Sequence, residues 1–112
     1  MKQYDIWLAN LNPSKGTEPC KIRPVVIVQT NLLNQVDHPS TMVCPLTTQL
    51  TPKENILRVR VNEGNYGLEK HSEILIDQIR ALDNRRFLEK IGELGQQEIV
   101  DIRSKIKAVL DF

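Results

Sequence analysis

The chain is poor in the residues that usually announce a site. Cysteine occurs twice and histidine twice in 112 residues. Cys20 and Cys44 are too few for a disulfide framework and too far apart for a zinc motif, so both read as free thiols of a reducing compartment. His38 and His71 are isolated, with no carboxylate or cysteine at ligand spacing. Neither a metal centre nor a histidine acid/base pair is therefore expected, and no cofactor is. One Trp, two Tyr and two Phe are too few to line the groove of a plain SH3-like binding module. A net charge of +1 excludes a duplex binder working mainly through phosphate contacts, so any nucleic-acid site must be local. No apolar run approaches the roughly 20 residues of a membrane span. The N-terminus, MKQYDIWLAN, lacks the apolar core and cleavage site of a signal peptide, and no Gly-rich phosphate loop follows a strand. The expectation is a cytoplasmic protein without a membrane partner. Residues 1–112 read as one domain, with 40% hydrophobic residues available for a core.

What is present is a series of short strands followed by one helix. Tyr4 to Asn10 reads as a strand ended by the Asn12-Pro13 turn. A loop of about a dozen residues follows, a length usually functional or disordered. Arg23-Pro24 then leads into Val25-Val26-Ile27-Val28, a β-branched run that fits a strand buried on both faces. Pro24 has no N–H and belongs at that strand's first residue. Thr30 to Ser40 is a polar connection, and Thr41 to Leu46 is a third strand delivering Thr47-Thr48-Gln49 at its end. Ile56 to Val61 alternates with period two, which places Leu57, Val59 and Val61 inward and Arg58 and Arg60 on a basic outer face. Ser72 to Ile76 and Ile79 to Leu82 read as strands with a break or bulge at Asp77, and Phe87, Leu88 and Ile91 as a short helical turn or strand. From Gln97, Ile99, Ile102, Ile106, Val109 and Leu110 recur at helical spacing. The fold class is α+β, mainly β: a small, strongly bent sheet covered by one C-terminal amphipathic helix.

The chemistry-bearing residues gather at strand ends: Thr17 and Glu18 in the first loop, Arg23 entering strand two, Thr47 and Thr48 leaving strand three. If strands two and three are antiparallel neighbours, the start of one lies beside the end of the other and Arg23 meets Thr47. An arginine fork and a hydroxyl suit a phosphate, and the permanent charge suits a phosphodiester's pentacoordinate transition state. The plainer alternative is an Arg23–Glu18 surface ion pair and threonines that merely end a strand.

The segments YDIWLANLNPSKGTEPCKIRPVVIVQ, MVCPLTTQL and SEILIDQIRALD, with the helix after them, resemble in order and register the MazF/PemK family of toxin endoribonucleases. The resemblance implies an SH3-like (CcdB/MazF-type) β-barrel with a C-terminal helix, acting as a homodimer. It also implies metal-independent cleavage of single-stranded mRNA and neutralisation by a cognate antitoxin. On this reading Arg23 and Thr47 match the family's catalytic arginine and threonine, and Glu18 an acidic loop residue implicated in some members. Thr17 matches an RNA-contacting loop position, and Asp77 and Gln78 a motif that contacts bases. Tyr4 stands where many members have glycine. The reaction would be attack of the ribose 2′-hydroxyl on the adjacent phosphate. Glu18 is the better candidate base, since an arginine pKa above about 12 makes Arg23 a poor one. The rival reading is a non-enzymatic, CcdB-like toxin that poisons DNA gyrase through its C-terminal end. The chain's end, Ala108 to Phe112, reads instead as a docked helix end.

Overall fold

The β-branched run after Arg23-Pro24 forms the middle of the sheet. The computed structural model describes residues 1–11, 21–62 and 66–112. Seven strands run β1 Asp5–Asn10, β2 Ile22–Ile27, β3 Ser40–Thr47, β4 Arg58–Val61, β5 Ser72–Leu75, β6 Arg80–Asp83 and β7 Phe87–Glu93. A one-turn helix α1 (Asn31–Asn34) lies between β2 and β3, and α2 (Gln96–Leu110) follows β7. The sheet order is β4-β5-β3-β2-β1-β7, with β6 also on β3, and the strand pairs are antiparallel. β3 bends the sheet. Its first half pairs with β6 and its last two residues pair with β5, so one strand passes its edge from one neighbour to another.

Among the described residues the ladder does not close into a ring, but packing closes what hydrogen bonds do not. Tyr66-Gly67, after β4, abuts Ile91-Gly92 of β7. A Cβ on Gly67 would strike the Ile91 carbonyl, and one on Gly92 the Tyr66 carbonyl. Gly67 also has φ 82°, where a side chain is strained. The barrel-like closure thus depends on two glycines facing two carbonyls.

The sheet buries both faces. Ile6, Val26, Cys44, Leu46, Val59 and Ile74 face α2, whose Ile102 is fully buried among them, while Ile99, Ile106 and Val109 flank the contact. On the other face Ala9, Val25, Ile27, Val43 and Leu82 form a second cluster with Trp7 and Phe87, whose rings meet edge-on at 6.1 Å. Val25, Val26 and Ile27 are completely buried, as a continuous apolar run requires. Lys105 of α2 donates to the Arg58 carbonyl at 2.7 Å and so covers a carbonyl of the β4 edge.

Several boundaries differ from expectation. β2 starts at Ile22, leaving Pro24 inside it; Pro24 pairs with Leu8 of β1 and precedes Val25, the first β2 residue paired with β3, so its missing N–H breaks no ladder there. Leu57 lies outside β4 and is exposed. The polar connection contains α1, capped by the Thr30 hydroxyl accepting from Leu32 N. Phe87 to Glu93 forms a full strand, with Gly92 inside it rather than ending it. Tyr4 has φ 71°, a glycine-favouring conformation. It is held by Tyr4 N donating to the Ile27 carbonyl and by Arg103 donating to its hydroxyl at 3.3 Å.

Candidate active site

β2 and β3 are antiparallel neighbours with Val25 opposite Pro45 and Val26 opposite Cys44. Continuing that register two residues puts Arg23 across from Thr47. Both residues line one cleft of about 250 Å³, together with Ile22, Pro24, Leu46, Thr48 and Ser72. Thr47 is opposite Glu73 of β5, and Glu73 is opposite Arg60 of β4. A polar row therefore crosses four strands on one sheet face, Arg23–Thr47–Glu73–Arg60, since cross-strand partners share a face.

The arginines of this chain are nearly all committed to protein acceptors. Arg58 and Arg60 donate to Glu73, Arg85 to Asp83, Arg103 to the Tyr4 hydroxyl, and Arg80 and Arg86 reach the Leu11 and Asn10 carbonyls. Among the described residues, Arg23 is the arginine without such an acceptor. It is half-buried and lines the cleft, its backbone held extended by the proline after it. Thr47 is buried, and its hydroxyl accepts the Gln49 N–H at 3.1 Å. That bond leaves the hydroxyl hydrogen available for another acceptor. A permanent cation without a carboxylate partner among the described residues, beside a hydroxyl donor, suits the oxygens of a phosphate.

The β1–β2 loop is anchored at its base by Leu11 N donating to the Lys21 carbonyl at 2.9 Å. Thr17 and Glu18 lie outside the described residues. Asp77 and Gln78 are exposed on a 3₁₀ turn, Ile76–Gln78, between β5 and β6, whose first residue, Ile76, is buried. They do not line the cleft that holds Arg23 and Thr47. Among the described residues no three His, Cys, Asp or Glu side chains group to hold a metal ion. His38 is used structurally, its Nδ1 2.7 Å from the Ser40 carbonyl. Cys44 is buried, and burial first, then the Asp77 charge, pushes its thiol up to about 12, so it is inert.

Glu73 is the residue that sequence reading missed. Arg58 and Arg60, expected to form a basic outer face, turn onto its buried carboxylate at 3.1 and 3.0 Å. Burial raises the Glu73 pKa, but the Thr51 N–H, Arg60 and the Thr51 hydroxyl outweigh it, so the carboxyl titrates below its ordinary range. A carboxylate so held is a poor proton acceptor. The signal was available: a glutamate inside an apolar strand, with two arginines at period two in the strand before it.

A family profile described as PemK-like, MazF-like toxin of type II toxin–antitoxin system matches residues 2–110. This chain belongs to that family. The PemK/MazF-like chain is 34% identical to Endoribonuclease MazF of Staphylococcus saprophyticus over 95% of its own length and 88% of that protein's. It is 30% identical to Endoribonuclease EndoA of Bacillus subtilis over 100% of its length and 98% of that protein's. The fold of this PemK/MazF-like chain is shared with the MazE-MazF crystal structure (Form-II) from Deinococcus radiodurans. That match has a TM-score of 0.81 at 23% identity and covers 100% of this chain and 96% of that one.

Proposed function

We propose that this protein is the toxin of a type II toxin–antitoxin pair and an endoribonuclease that cuts single-stranded mRNA at short preferred sequences, halting translation. The observation that carries the reaction is Arg23, a guanidinium with no protein acceptor among the described residues, sharing a cleft with the Thr47 hydroxyl. In the reaction the 2′-oxygen attacks the adjacent phosphorus, the bond to the 5′-oxygen breaks, and a 2′,3′-cyclic phosphate and a 5′-hydroxyl remain. The nucleophile comes from the substrate, so neither a bound water nor a metal is needed to generate it. Arg23 holds the non-bridging oxygens as charge builds and supplies the leaving oxygen's proton. Thr47 orients the phosphate. Glu18 takes the proton from the 2′-hydroxyl, while Thr17, Asp77 and Gln78 contact bases splayed from the strand. Asp77 and Gln78 sit apart from the cleft, which suits bases some nucleotides from the scissile bond.

The family and the names of its relatives favour RNA over gyrase as target. The Deinococcus protein of the same fold is seen with MazE. A cognate antitoxin and a second copy of the chain are accordingly the proposed partners, and the cytoplasm the proposed compartment. No helix among the described residues is long and apolar enough to cross a membrane. The decisive test incubates purified protein with long single-stranded RNA in EDTA and maps the fragment ends. Cyclic phosphate and 5′-hydroxyl ends that disappear with Arg23→Ala are expected. RNA left intact at high protein concentration overturns the reading, and gyrase inhibition in a supercoiling assay would favour the rival.

A further inference from the structure

Glu73 is buried, with its side chain 4% exposed, and its hydrogen-bond partners are Thr51, in the segment that follows Thr47, and Arg58 and Arg60 of β4. Its Oε1 accepts from Thr51 N at 2.9 Å and from Arg58 at 3.1 Å, and its Oε2 from Arg60 at 3.0 Å. Both arginines carry the grip onward along the chain. Arg58 NH1 also donates to the Gln49 carbonyl, and Arg60 NH2 to the Thr51 carbonyl, each at 3.2 Å. One carboxylate thus organises two guanidiniums, and together they fix the backbone of residues 49 and 51 at three points. Gln49 in turn gives its N–H to the Thr47 hydroxyl at 3.1 Å. Glu73 is also the direct cross-strand partner of Thr47.

We infer that Glu73 is a positioning residue for the RNA cleavage reaction, acting through Arg58 and Gln49 to set the rotamer and free hydrogen of the Thr47 hydroxyl beside Arg23. The inference rests on the proposed nuclease reading for its catalytic part. The geometry explains why a carboxylate is tolerated at a buried sheet position: a threonine at the end of a strand has little to hold its hydroxyl, and the segment after it has no regular structure of its own. Neutralising the carboxylate removes both ion pairs at once. The arginines then swing toward solvent, the Gln49 carbonyl loses its donor, and Thr47 loses a fixed partner. At the cleft itself only the orientation of a hydroxyl changes, so the effect belongs on kcat rather than on KM.

The test is a double-mutant cycle with Glu73→Gln and Thr47→Ala on a single-stranded RNA, paired with the NMR exchange rate of the Gln49 amide. Glu73→Gln alone is expected to lower kcat about tenfold with KM changed less than about twofold. In the Thr47→Ala background its further cost falls below about twofold, because the residue it serves is gone. The Gln49 amide exchanges several-fold faster in Glu73→Gln, a readout that needs no RNA. If the parent fails to cut RNA the nuclease reading fails, while the amide still judges the positioning. An unchanged kcat, a loss confined to KM, an equal loss in both backgrounds or an unchanged Gln49 amide overturns the inference. Should Glu73→Gln not fold, Arg58→Gln removes the donor to the Gln49 carbonyl while leaving Glu73 its Arg60 and Thr51 partners, and the same outcomes are read from it.

Discussion

Arg23 and Glu73 lie in one cross-strand row, and their environments are opposite. Arg23 has no protein acceptor among the described residues; Glu73 is surrounded by donors. Removing the Arg23 side chain therefore breaks no hydrogen bond or ion pair among the described residues, and its effect belongs to chemistry. Arg23→Lys keeps the charge but loses the planar fork, and kcat is expected to fall roughly 10²-fold in a quenched-fluorophore RNA assay. Its melting temperature should stay within about 2 °C of the parent's, since no buried partner is orphaned. Glu73→Gln has the opposite profile in stability, costing about 1–3 kcal/mol at neutral pH in urea titration through lost charged hydrogen bonds. The sign of its pH dependence follows from a folded pKa below the unfolded value of about 4.3. The carboxylate's contribution is complete above that unfolded value and is lost as pH falls through the folded one. Melts of parent and Glu73→Gln should differ by a constant amount from about pH 5.5 upward and converge below about pH 4. The meeting of Arg23 and Thr47 was legible in the sequence because an antiparallel pair fixes which ends touch. Glu73 was not, because alternation shows which face a residue takes but not that a buried carboxylate will recruit the arginines of the next strand.

At the scale of elements, α2 and the β7 contact hold the molecule together in different ways. α2 presents fully buried Ile102 to the sheet and leaves Val100 exposed. Ile102→Ala should cost roughly 2–5 kcal/mol in urea titration, as a cavity in a packed interior does. Val100→Ala on the far side should change stability by less than about 0.5 kcal/mol. An equal cost for both would mean that α2 is not seated by this face. The helix was readable because five apolar residues at its spacing leave little choice, and its observed start differs by one residue from the expected Gln97. The approach of Tyr66-Gly67 to Ile91-Gly92 was not readable. It has no periodicity, only two glycines whose missing side chains make room for carbonyls distant in sequence. The extent of β7 was hidden for the same reason: Gly92 looks like an ending until the carbonyl facing it is known.

Over the whole molecule, charge is balanced in number and partly paired in space. The net charge is +1, and Arg58, Arg60, Arg85, Lys90 and Lys105 are all engaged by carboxylates. A surface of this kind has no broad field to draw in a polyanion, so RNA affinity must come from a few direct phosphate contacts and from bases held in clefts. The consequence is measurable as a salt slope, because each phosphate neutralised on a single strand contributes about −0.7 to the dependence of log K on log salt. With two or three phosphates gripped around Arg23, a cleavage-resistant 2′-deoxy oligonucleotide should bind with a slope between about −1.4 and −2.1 in fluorescence anisotropy. Arg23→Ala should flatten that slope by roughly 0.7, the loss of one contact. A parent slope steeper than about −4 would instead mean six or more phosphates, a wider electrostatic footprint than the Arg23 cleft alone. The shallow slope also separates the two sources of specificity, since affinity that survives high salt has to come from base contacts such as those proposed for Asp77 and Gln78.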